Sequence, residues 1–229
     1  MHGANITHMP RSLHSPRPPA ALLAALVPPP RPQRLVRLLV GLHLYGVGGA
    51  LLLAADLGAT PWDVLHQGLA LRTGLSVGTW SIIVGALLML LWIPLRQRPG
   101  LGTVSNVVLV GLSVDLTLLW LPDPHTLPLR IAYLAVGTAV TGAATGCYIG
   151  ARLGPGPRDG LMTGLAERGL SLRAARTGIE VAVVAAGALL GGTVGPGTLL
   201  FALAIGPLAQ VCIPRMQVPE RQCPGSHCE

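Results

Sequence analysis

Two aspartates occupy the same local frame 96 residues apart, Asp63 in LGATPWDVLHQGLA (Leu57 to Ala70) and Asp159 in LGPGPRDGLMTGLA (Leu153 to Ala166). Each frame encodes a helix start. Thr60 or Gly156 suits the N-cap, Pro61 or Pro157 the first turn, and the aspartate lies near the exposed N–H groups of that turn. About ten residues of helix cover only about 15 Å, half the hydrocarbon thickness of a bilayer, so each is predicted to be a short re-entrant or interfacial helix. Re-entrant helices would aim two positive dipole ends at a central anion, with Asp63, Asp159, Arg158 and Trp62 as the substrate-binding set. In the other reading each aspartate caps its own helix, and each helix lies flat on the membrane.

Further polar groups fall inside apolar stretches: His43, Asn106, Asp115, Arg176 with Glu180, and Gln210. Ionisable groups are costly in hydrocarbon and mark pathways there. Asp115 is matched in the second frame by Gln210, so a polar group recurs, and Asp115 is the candidate for coupling to a proton or cation. Glu180 is the second coupling candidate; its spacing of four from Arg176 also suits an ion pair on one helical face. His43 and Asn106 are expected to bridge helices by hydrogen bonds. Glycines and alanines at intervals of four, Gly46, Ala50 and Ala54, then Gly142, Gly146 and Gly150, predict close helix packing, with the first and fourth spans meeting along these stripes. No Walker loop, HExxH or GxSxG is present, so the chain reads as neither an enzyme nor a cofactor binder. Cys223, His227 and Cys228 offer three ligands where zinc needs about four, and no metal site is expected.

What positions these residues follows from composition. With 51% hydrophobic and 11% charged residues and a mean hydropathy of +0.59, the chain calls for lipid rather than water as its solvent. Its net charge of +7 comes from 16 arginines without a lysine, and aromatics make up only 3%, which argues against a nucleic-acid surface. Six stretches are long and apolar enough to span a bilayer: Leu35–Ala55, Leu75–Leu95, Leu101–Leu121, Ile131–Gly150, Thr177–Val194 and Thr198–Ile213. With both termini cytoplasmic, 14 of the 16 arginines fall on the cytoplasmic side, all but Arg72 and Arg130, which predicts the plasma membrane in that orientation.

The 96-residue offset extends well beyond the aspartates. Arg34, Gly41, Gly46, Leu57, Gly58, Pro61 and Gly68 fall on Arg130, Gly137, Gly142, Leu153, Gly154, Pro157 and Gly164. After a slip of one residue, Gly100, Gly102, Thr103 and Gly111 fall on Gly195, Gly197, Thr198 and Gly206. A repeat with three spans must insert its second copy upside down. The predicted fold is therefore an all-α integral membrane protein, with six transmembrane helices as a 3+3 inverted repeat and one short helix in each half. The expected organisation is a disordered extension at 1–33, membrane repeats at 34–121 and 130–214, and a disordered tail at 215–229.

The run LGATPWDVLHQGLALRTGLSVGTWSIIVG, the later GARLGPGPRDGLMTGLAERGLSLRAARTGIE and the joining IPLRQRPGLGT resemble the YczE-like bacterial membrane proteins, relatives of the YitT group, over about Arg34 to Pro214. The resemblance implies a multi-pass membrane protein and brings no substrate or catalytic residue with it. The functional expectation is a secondary transporter or exporter of a small solute, with an anion the leading class. The alternative is a scaffold or accessory regulator that binds a partner through the arginine-rich loop Arg152–Arg176. Expected partners are the lipid bilayer and a small solute, without nucleic acid; homo-oligomerisation stays open.

Overall fold

The structure is a computed structural model that describes residues 31–218. Most of the predicted extension and tail, including Cys223, His227 and Cys228, lies outside the described residues. Those described form eight α-helices and no strand: α1 Arg31–Ala55, α2 Pro61–Thr73, α3 Val77–Leu95, α4 Leu101–Trp120, α5 Leu127–Gly150, α6 Pro157–Ala166, α7 Leu172–Leu189 and α8 Pro196–Met216. Helix α1 thus begins inside the predicted extension, at Arg31.

The short helices start where their caps direct. The Thr60 hydroxyl accepts from the Asp63 N–H ahead of Pro61, and α2 ends at Gly74, whose φ of 76° is the left-handed stop that glycine adopts without strain. Ser76 and Ser171 cap α3 and α7 in the same way, accepting from the N–H groups of Thr79 and Ala174.

Five helices, α1, α3, α4, α5 and α8, are long and apolar enough to cross a membrane. The sixth predicted span, Thr177–Val194, falls mostly on α7, which does not reach that apolarity because Arg173, Arg176 and Glu180 occupy its first half. Large apolar side chains turn outward over the surface, among them Ile93, Trp120, Leu189 and Leu203. A soluble monomer does not expose such a belt, whereas a protein surrounded by lipid must.

Helices α1 and α5 form the centre of the bundle, α4 packs against α1, and α8 against α5. The glycine stripes do pack closely, but not where the spacing predicted. A Cβ on Gly46 would fall 2.4 Å from the Ser113 Cβ of α4, and Cβ atoms on Gly142, Gly146 and Gly150 would meet Leu208, Cys212 and Met216 of α8. The α1–α5 contact is made instead by Gly41, Gly48 and Gly137, with the Gly48 position 2.3 Å from the Thr141 hydroxyl. Gly48 is about 200° around the helix from Gly46, so one helix carries two glycine faces and serves two neighbours.

Many interactions come in pairs at positions 95 or 96 residues apart. The Gly102 N–H donates to the Leu153 carbonyl at 2.8 Å, and the Gly197 N–H to the Leu57 carbonyl at 2.8 Å, so α4 and α8 each grip the loop that leads into the other half's short helix. Arg34 donates to the Ala151 carbonyl at the end of α5, while Arg130 pairs with Asp56 just beyond the end of α1. Trp92 of α3 fills the space over Gly160 of α6, and Val64 of α2 fills that over Gly187 of α7.

Candidate functional site

The loops before α2 and α6 place both helix starts inside the bundle. An added Cβ on Gly49 would sit 3.5 Å from the Asp63 carboxylate, and Gly49 lies six residues before the end of α1, about 9 Å along its axis. Thr60 donates to Asp63 Oδ2 at 2.6 Å, and His66 Nδ1 lies 3.3 Å from Asp63 Oδ1. Across the bundle, Trp92 Nε1 donates to the Pro157 carbonyl at 3.1 Å and anchors the start of α6. The Tyr148 hydroxyl donates to Asp159 Oδ2 at 3.1 Å, and the Tyr148 ring meets Tyr45 edge-on at 6.0 Å.

The two starts meet. The Arg158 guanidinium lies over the Trp62 ring, 5.1 Å from its centroid, and these residues are one another's counterparts in the 96-residue offset. Two helix N-termini therefore converge on one point, each with a carboxylate in its first turn. Two cavities flank that point and share Tyr45, Arg158 and Asp159. One is bounded by Ser81, Asn106, Val110 and Tyr148; the other by Thr60, Trp62, Met162, Arg176, Glu180 and Phe201.

Arg158 makes no hydrogen bond or ion pair among the described residues. A guanidinium over an aromatic face gains about 0.5–2 kcal/mol, and Arg158, only partly buried, also lies in the field of the Asp63 and Asp159 carboxylates. Its five donors remain open to an acceptor in the two cavities. The neighbouring carboxylates are partly committed: both Asp63 oxygens have partners, and one Asp159 oxygen has Tyr148.

Four of the residues singled out in the sequence, Trp62, Asp63, Arg158 and Asp159, gather at this point, and Glu180, bonded to Arg176 at 3.0 Å, edges the second cavity. Asp115 is not brought there. It accepts from Ser76 Oγ at 2.5 Å and from the Gly78 N–H at 2.8 Å, tying α4 to the first turn of α3. His43 bridges to Ser113 at 3.0 Å as expected, whereas Asn106 faces the first cavity. Sequence reasoning passed over Tyr45, Tyr148 and His66. Two of the three tyrosines in a chain so poor in aromatics stand at the site, and His66 follows Asp63 at helical spacing. His66 is fully buried, and its Nε2 has no partner among the described residues.

Residues 32–214 match a family described as a family of unknown function, DUF6198. An uncharacterized protein of Haemophilus influenzae is 41% identical over 174 residues, 76% of this chain and 80% of its own. The uncharacterized membrane protein YczE of Bacillus subtilis is 36% identical over 161 residues, 69% of this chain and 75% of its own. YyaS, an uncharacterized protein of the same organism, is 27% identical over 182 residues, 76% and 90% of the two chains. No solved structure matches the chain.

Proposed function

This chain belongs to the YczE-like family of unknown function, DUF6198, and from that premise we propose that it carries a small anion across the plasma membrane as a secondary transporter. The observation that carries the reading is Arg158: a guanidinium without a hydrogen-bonding partner among the described residues, set between two cavities where two helix starts converge. A helix N-terminus offers unsatisfied N–H groups and a positive dipole end, and two of them beside a free guanidinium suit a negative solute.

In this reading α7 is the sixth crossing, its charged half turned to the second cavity through Arg176 and Glu180. The halves are inverted copies, α2 and α6 are re-entrant, and both termini are cytoplasmic. The paired hydrogen bonds at offsets of 95 and 96 residues, and the self-matched Trp62–Arg158 contact, support that architecture. Rocking one half against the other would open the two cavities in turn. Trp62 and Arg158 hold the solute, while Asp63 and Asp159 shape its site from the first turns of α2 and α6.

The test is flux of labelled small monocarboxylates and phosphate into phosphatidylcholine liposomes that contain the full chain. Arg158→Gln is expected to reduce uptake at least tenfold and Arg158→Lys less, with both variants still folded. Undiminished uptake by Arg158→Gln would overturn the reading. The rival, a scaffold docking a partner through Arg152–Arg176, is less well supported, because Arg168 turns back to the Pro94 carbonyl and Arg176 to Glu180.

A further inference from the structure

The halves differ in how their last two helices pack. Helices α3 and α4 are tightly packed: a Cβ on Gly78 would meet the Gly111 carbonyl at 2.1 Å, and one on Gly85 the side chain of Val107. Their counterparts α7 and α8 have at most marginal contact. Gly206, the partner of Gly111 in the offset, has nothing within 4 Å of its Cβ position, and neither does Gly178. The gap between α7 and α8 is an apolar groove walled by Val181, Val184 and Ala185 on one side and Val194 and Leu199 on the other. Groove and second polar cavity share Pro61, Glu180 and Ala202, so the apolar groove adjoins the cavity that holds Arg158 and Arg176.

We propose that the anion is a long-chain monocarboxylate, which enters from the bilayer between α7 and α8 with its carboxylate at Arg158 and its acyl chain along the groove. This rests on the anion reading above and narrows it to one substrate class. Three features converge. The groove presents hydrocarbon to hydrocarbon, so a chain moves into it from lipid without passing through water. The polar end offers the Arg158 guanidinium, whose planar fork suits a carboxylate, with Arg176 held by Glu180 beside it. Met162, Phe201, Ala202 and Ile205 continue the apolar lining into this cavity, where an acyl chain meets them beside the polar Tyr45, Thr60, Asp159 and Glu180.

A dodecanoate with a chain diazirine, added to the full chain in phosphatidylcholine nanodiscs, tests the idea when the photolabelled residues are mapped by mass spectrometry. Expected is labelling concentrated on α7 and α8 around Val184 and Leu199, lowered at least fivefold by excess unlabelled dodecanoate and at least tenfold by Arg158→Gln. Ala185→Trp, which fills the groove, should lower it comparably. Labelling spread evenly around the apolar belt, indifferent to competitor and to Arg158→Gln, would mean ordinary lipid fills the groove and would overturn the proposal. So would equally effective competition by a dodecyl phosphate. Thermal stabilisation by acetate, measured alongside, separates the two readings. If acetate protects the wild type but not Arg158→Gln while labelling stays diffuse, the anion site stands and the lipid-side entry falls; if acetate protects neither and labelling is diffuse, both fall.

Discussion

At Gly160 a hydrogen atom does what no side chain can, because the Trp92 ring lies 1.9 Å from where a Cβ would stand. The same ring is fully buried and donates to Pro157, so it cannot swing aside without losing that bond. Gly160→Val is therefore expected to destabilise the fold by about 1–3 kcal/mol or more, read as a lower melting temperature of the purified protein. Thr60 is a second sensitive point, since its hydroxyl both caps α2 and donates to Asp63. Thr60→Val, similar in shape but without the hydroxyl, should cost about 1–2 kcal/mol in the same melt. Trp62 and Arg158 behave differently. Their contact is loose and flanked by cavities, so Arg158→Gln should impair flux far more than it lowers the melting point.

At the scale of elements, the two short helices are the feature on which the architecture turns. Each begins beside a central helix and ends near a connecting loop: Arg72, near the end of α2, donates to the Leu190 carbonyl, and Glu167, just past α6, accepts from Gln97 beyond the end of α3. If α2 and α6 enter from opposite faces, single cysteines at Gln67 and Thr163, in a background without the native cysteines, will react with an impermeant maleimide added from opposite sides. Reaction of both from one side would remove the inverted plan and the alternating access that depends on it.

The whole molecule is closed on one flank and parted on the other. A Cβ on Gly85 would lie 3.6 Å from the Val107 Cβ, within the usual disulfide range of about 3.5–4.5 Å. Gly85→Cys with Val107→Cys should therefore cross-link α3 to α4 quickly under mild oxidation. The counterparts at the 95-residue offset are Glu180 and Ala202, across the parted α7–α8 flank. Glu180→Cys with Ala202→Cys should cross-link slowly, and faster once the opposite flank opens. Equal rates for both pairs in the resting protein would mean that the asymmetry has no bearing on transport.

The solvent class, the helical content and the short helices were legible in the sequence, because each depends on local features: apolar runs, a cap followed by proline, and arginines at the breaks. Asp63 and Asp159 stood out for the same reason, as matched positions in a repeated frame. What the linear order left open was which face of each helix meets which neighbour. Gly46 and Gly48 are both small and two residues apart, yet one receives α4 and the other α5, a choice made only when several helices compete for the same space. Asp115 was legible as a polar group inside an apolar span but not as the acceptor for the first turn of α3, and Tyr148 became visible only once folding brought it to Asp159. Tertiary structure alone put Trp62 against Arg158, because contact between residues 96 apart depends on where the two helix starts end up in space and not on anything written next to either of them.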